Sequence, residues 1–159
     1  AQLEGEEASP DISGFIGQYA HGNEPSHHIA YLYNYVGQPH KTQFYVHRIL
    51  TELYQNTPEG LCGNEDCGQM SAWYVFSAMG FYPVNPVEAK YQLGTPLFNK
   101  VTIKTGPEKK FTITALRASD KDIYVKEVYL NDKKLDRTWI THDEIMKGGE
   151  LQFVMTDQK

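Results

Sequence analysis

Two short runs hold most of the residues capable of chemistry. The first is His21-Gly22-Asn23-Glu24-Pro25-Ser26-His27-His28, with an amide, a carboxylate and three imidazoles in eight positions. Pro25 and the apolar-periodic stretch behind it place this run at a loop-to-helix junction. One reading is capping. Asn23 or Ser26 accepts from unpaired backbone N–H groups, and Glu24 favours the positive end of the helix. Capping accounts for one or two of these residues and leaves the rest, so a polar site competes with it. Zinc fits poorly, because no H-E-x-x-H pattern is present and the adjacent His27 and His28 point to different faces.

The second run is Gly60-Leu-Cys-Gly-Asn-Glu-Asp-Cys-Gly68. Asp66 alone would be an ordinary N-cap. Glu65 and Asp66, however, are adjacent like charges, costly unless solvated, paired or bound to a cation. Both runs combine acids with amides at a helix start, and we expect them to face one cleft. Hard oxygen ligands of this kind suit calcium better than zinc or copper. A carboxylate held there can also orient a water for attack.

The elements that must position these runs follow from hydrophobic period. Ile29, Leu32, Tyr33 and Val36 fall on one helical face, ended by Gly37. A second helix begins near Pro39 and runs to Tyr54. A third runs from near Gly68 to Gly80 and is apolar almost all round, which implies burial between other helices. Beyond Pro83 the pattern alternates: Val101–Lys104, Phe111–Leu116, Ile123–Leu130, Lys133–Leu135, Thr138–Thr141 and Leu151–Met155 read as strands. Asn131-Asp132 and Gly148-Gly149 read as turns, and residues 85–94 as a connector. The class is α+β: helices over residues 1–83, then an antiparallel sheet or sandwich over 84–159. Three helices make a poor all-α domain, so residues 1–83 read as part of a larger helical assembly. Either the chain is a fragment or it packs against another subunit.

Composition narrows the partners. Residues 1–83 carry nine acids against two bases, residues 84–159 eleven against thirteen, giving the net −5 of the chain. An acidic segment that also holds 13 of the 20 aromatics does not attract phosphate backbones, so nucleic acid is excluded in favour of a neutral polar ligand or a hard cation. No apolar run approaches the ~18 residues of a membrane span. The sequence opens AQLEGEE, so no secretion signal is in view and the compartment is not legible. Cys62 and Cys67 are too few for a disulfide scaffold, and their spacing permits but does not favour a bridge. Trp73 and Tyr74 read as core, and Trp139 and Tyr129 as the few aromatics open to a glycan.

The two runs are similar to the signature of the family 92 glycoside hydrolases, calcium-dependent exo-acting α-mannosidases. The likeness covers His21 through Gly37 with Lys41-Thr-Gln, and Gly63 through Pro83, and extends more loosely over the chain. It implies a β-sandwich joined to an (α/α)6 helical barrel with further β-structure behind it. This chain would then be the last barrel helices and that C-terminal β-region. It implies inverting hydrolysis of terminal mannose, with α-1,2 linkage the favoured target and Ca2+ binding the sugar at the −1 position. By the same resemblance Asp66 is the general base, supported by Asn64. Asn23 and Glu24 contribute to the metal, and His21, Glu24 and Glu65 to the substrate. The family's catalytic acid lies in a Trp-Glu-Gly-Asn motif absent from this chain. Glu4, Glu6 and Glu7 do not match it. The implied partners are a mannose-containing glycan and the missing N-terminal part of the enzyme, and the implied location is periplasmic or extracellular. The isolated chain is expected to be inactive. The alternative is a carbohydrate-binding or structural module without catalysis.

Overall fold

Gly17, at φ 63, turns the chain between β1 (Phe15–Ile16) and β2 (Tyr19–Ala20), which pair antiparallel. The computed structural model describes residues 12–159, so Glu4, Glu6 and Glu7 lie outside the described residues. A 3₁₀ turn follows at Glu24–Ser26, then an eight-residue 3₁₀ run at Ile29–Val36. The sequence predicts the Ile29/Leu32/Tyr33/Val36 face as the buried one. The structure reverses this. Ile29 is 43%, Leu32 42% and Val36 65% exposed, whereas Tyr31 is fully buried and Asn34 nearly so. Three residues per turn put i and i+3 in one row, so Tyr31 and Asn34 share the inward row and Ile29, Leu32 and Tyr35 an outward one. Hydrogen bonds fix the choice: Tyr31 Oη donates to Ser77 Oγ (2.8 Å) and Asn34 Nδ2 to the Leu93 carbonyl (2.8 Å).

Helix α1 (Pro39–Glu52) opens on proline, whose missing N–H is no loss in the first turn, and buries Val46, Ile49 and Leu50. Helix α2 (Gln69–Met79) lies between Gly68 and Gly80, both left-handed. Its inner side carries Met70, Trp73, Ser77 and Ala78, while Val75 is 53% exposed.

The segment read as a connector carries sheet structure. Strands β3 (Phe81–Asn85) and β4 (Lys90–Leu93) form a hairpin across the change of hydrophobic period. Pro83 and Pro86 hide it in the sequence. β3 is an edge strand with a register shift between Tyr82 and Asn85, and both features tolerate proline. Then follow β5 (Lys100–Lys104), β6 (Lys110–Leu116), β7 (Tyr124–Leu130), β8 (Lys133–Lys134), β9 (Trp139–Thr141), α3 (His142–Lys147) and β10 (Gly149–Thr156). One sheet has the order β5-β6-β10-β7-β8, the other β3-β4-β9. All neighbouring pairs run antiparallel except β6 and β10, which are parallel.

Phe81, Phe111, Ile113, Ile140, Leu151 and Phe153 form the sheet core, and Tyr31, Val46, Ile49, Leu50 and Trp73 the helical one. Besides Asn34, Gln43 of α1 joins the two by accepting the Val125 N–H at 3.1 Å. Among the described residues no helix is long and apolar enough to cross a membrane.

Candidate active site

The two chemistry-bearing turns meet because glycine lets their backbones touch. The β1–β2 ladder continues through His21 N–H to Gly14 O and Gly22 N–H to Ser13 O, both 3.0 Å, and delivers the chain to Gly22. The second turn is closed by a bridge between Tyr54 and Leu61 and reaches Gly63. A Cβ at Gly63 would fall inside the Gly22 backbone, and one at Gly22 would meet the Cys62 carbonyl oxygen at 3.1 Å. Any side chain at either position forces the turns apart.

Across this seam the Glu24 and Asp66 carboxyl groups are hydrogen-bonded. Asn23 caps its 3₁₀ turn, its Oδ1 accepting the Glu24 N–H at 3.1 Å. Glu24's carboxyl is held below the usual carboxylate range, first by its own backbone N–H and next by the hydrogen bond from Asp66. Two carboxylates this close repel each other, and a cation or water between them offsets the repulsion. Asp66 and Cys67 have φ of 46 and 57, and Gly68 has 93. Each left-handed non-glycine residue costs roughly 1–2 kcal/mol, aspartate being among the more tolerant. Three in succession bend the chain sharply just before α2 and carry the Asp66 carboxyl to Glu24.

The remaining candidates divide. Asn64 is exposed on the same turn as Asp66. Glu65 is a helix cap: its carboxylate accepts the Ser71 hydroxyl and the Ser71 N–H (2.9 Å), and these two bonds, in that order, hold its pKa down. Both oxygens are thus bonded to α2. His21 lies inside the core. It is fully buried, with Nδ1 accepting from Tyr19 Oη and Nε2 bonded to Tyr54 Oη, both at 2.7 Å. Tyr54 Oη in turn donates to the Met70 carbonyl, which assigns the His21 proton to Nε2. No ring nitrogen is left for a sugar hydroxyl. Burial, then the nearby His27, lowers the His21 pKa to about 3.

Sequence reasoning missed the packing beneath the turns. His21 lies 4.3 Å from the Trp73 ring and 4.7 Å from that of His27. His27, 2% exposed, bonds through Nε2 to the His21 carbonyl (3.0 Å) and accepts at Nδ1 from Gln69 Nε2 (3.1 Å). Trp73 Nε1 donates to the His27 carbonyl at 2.9 Å. His27 stood within the first run, but its burial had no signal, and Gln69 reads as any helix residue. Cys62 and Cys67 are free thiols, and burial pushes the Cys62 thiol up.

No group of three or more His, Cys, Asp and Glu able to hold a metal occurs among the described residues. The donors at this seam, the Glu24 and Asp66 carboxyls and the Asn23 amide that caps the same turn, are hard oxygens. They match calcium in kind and supply only part of the ~6–8 oxygens it takes.

Residues 2–157 match the glycosyl hydrolase family 92 catalytic domain. A family GH92 α-mannosidase from Bacteroides thetaiotaomicron, solved in complex with mannoimidazole, is 49% identical with a TM-score of 0.88, covering 93% of this chain and 20% of that one. A family GH92 inverting mannosidase from the same species is 48% identical with a TM-score of 0.81, covering 89% and 19%. A relative described as an uncharacterized secreted glycosidase from Arthroderma benhamiae is 32% identical over 137 residues, 84% of this chain and 18% of its own length. The chain thus spans about a fifth of the length of these relatives.

Proposed function

Because the chain belongs to glycosyl hydrolase family 92, we propose that it is one part of an inverting exo-α-mannosidase and supplies that enzyme's general base. The observation that carries this reading is the contact between the Glu24 and Asp66 carboxyls across two separate turns. Caps explain Asn23 and Glu65. They do not explain two acids from distant positions brought together over a strained backbone.

The contact also limits the chemistry. Inversion needs an acid and a base about 6.5–9.5 Å apart, with room for water between them. Carboxyls in hydrogen-bond contact cannot be that pair. By the family resemblance Asp66 is the base and Glu24 its neighbour, and the acid is expected in sequence outside this chain. Asp66 takes the proton of a water poised to attack the anomeric carbon, and Asn64 supports it from the same turn. Asn23 and Glu24 would hold calcium there, which would supply hard positive charge to the sugar hydroxyls. The linkage cleaved is α-1,2, and the substrate is a mannose-capped glycan.

The outward apolar row Ile29, Leu32 and Tyr35, with exposed Val36 next to it in the chain, supports the view that the N-terminal part of the enzyme packs on this helical region as the remaining barrel helices. Lacking the acid, the isolated chain releases no mannose. The secreted relative supports a periplasmic or extracellular site. The binding-module alternative is disfavoured. Trp139 has Lys90 Nζ over its ring at 4.8 Å and the Arg137 guanidinium at 4.2 Å, and Tyr129 Oη is bonded to Glu127.

The test follows product by NMR in the full-length enzyme. It should release the β-anomer of mannose first and lose activity on chelation, with recovery on adding calcium. Release of the α-anomer, or activity indifferent to chelation, would refute the reading.

A further inference from the structure

One arrangement beneath the two acids is not used by the proposed chemistry. His27 closes a turn on Glu24: its N–H donates to the Glu24 carbonyl at 3.0 Å. Gln69 does the same for Asp66, its N–H donating to the Asp66 carbonyl at 3.2 Å. Each residue therefore grips, three positions back, the backbone of one of the two acids. Their side chains are bonded to each other, Gln69 Nε2 to His27 Nδ1 at 3.1 Å.

We propose that His27 and Gln69 form a strut that sets the spacing of Glu24 and Asp66, which makes them positioning residues for the proposed base. This rests on the reading of Asp66 given above. The strut is braced at both ends. His27 is fixed by its Nε2 bond to the His21 carbonyl and by Trp73 Nε1 on its own carbonyl. The second N–H of the Gln69 amide goes to Tyr82 Oη at 3.2 Å. Because His27 Nε2 faces a carbonyl and carries the proton, Nδ1 presents a lone pair, and only a donor such as the Gln69 amide can meet it. Trp73 Nε1 on the His27 carbonyl and the chain from His21 through Tyr54 Oη to the Met70 carbonyl also tie the first turn to α2. The His27–Gln69 bond is the one that joins the two residues gripping the acids. Without it the left-handed run Asp66-Cys67-Gly68 is free to relax away from Glu24.

The experiment uses the full-length enzyme carrying this chain. Gln69→Leu is bulky and apolar at one atom less reach and removes both donors. Gln69→Asn keeps the amide but shortens its reach, and serves if the leucine variant fails to fold. Tyr82→Phe removes only the other partner. Either Gln69 variant should lower kcat about 10–100-fold, the usual effect of a residue supporting an active group, with KM within about threefold. It should add nothing further in the Asp66→Asn background, because residues acting as a unit are non-additive. Tyr82→Phe should cost less than either Gln69 variant, because it leaves the His27–Gln69 bond in place. A crystal structure of the Gln69 variant should show the fold intact and the two carboxyls out of contact. The strut is overturned if kcat survives, if the Gln69 and Asp66 losses multiply, or if the carboxyl contact persists. Should Asp66→Asn retain full activity, the base assignment fails instead, and the crystal structure still decides the strut.

Discussion

His21 illustrates how burial overrides residue type. From its place beside Asn23 and Glu24 it reads as a polar contact, yet its ring sits between two tyrosine hydroxyls and against Trp73. No pattern in the sequence marks Tyr19 and Tyr54, 35 positions apart in the chain, as its partners. The chemistry of the pair it underlies was more legible, because Glu24 and Asp66 stand in unusually acid, amide-rich runs. The ring also makes a pH prediction. The native His21 pKa of about 3 lies below the ordinary 6.5, so the unfolded chain takes up the proton first. The stability held by neutral His21 is complete above pH ~6.5. It falls by at most about 1.4 kcal/mol per pH unit between there and pH ~3. His27, lowered chiefly by burial, acts in the same direction. Urea titrations from pH 7.5 to 4.5 should show this slope in the parent enzyme and a shallower one in His21→Gln. Equal slopes would remove His21 from the account.

At the scale of elements, the 3₁₀ run Ile29–Val36 decides which side chains reach the core. Helical period located the segment and its end at Gly37, but it assigned the wrong face. A period of 3.6 and one of 3.0 diverge within two turns, and the anchors Ser77 and Leu93 come from distant sequence. Asn34→Ala should therefore destabilise by about 1–3 kcal/mol, since it strands the buried Leu93 carbonyl. Leu32→Ala on the outward row should stay within about 0.5 kcal/mol in the isolated chain. Denaturation midpoints that rank the two variants the other way would contradict the observed facing. The strands of the larger sheet were legible from alternation alone. That β10 inserts between β6 and β7 and runs parallel to β6 was not, because alternation encodes faces and not neighbours.

At the scale of the whole molecule two acids meet across separate turns, no group of three or more metal-ligating side chains occurs among the described residues, and an apolar row faces outward. A family likeness covering nearly all of this chain but a fifth of its relatives accounts for all three features. The near-uniform apolarity of α2 was legible in the sequence, whereas the partners of its inner side, Met70, Trp73, Ser77 and Ala78, come from distant segments that periodicity does not name. For the isolated 159-residue chain, mannose release from an α-1,2-linked disaccharide should be undetectable with or without calcium. The claim on which the rest turns is the role of Asp66, and the most direct measurement is kcat of the full-length enzyme carrying Asp66→Asn. A fall of about 10²–10⁴-fold at an unchanged melting temperature is predicted. A kcat within about threefold of the parent would contradict the account.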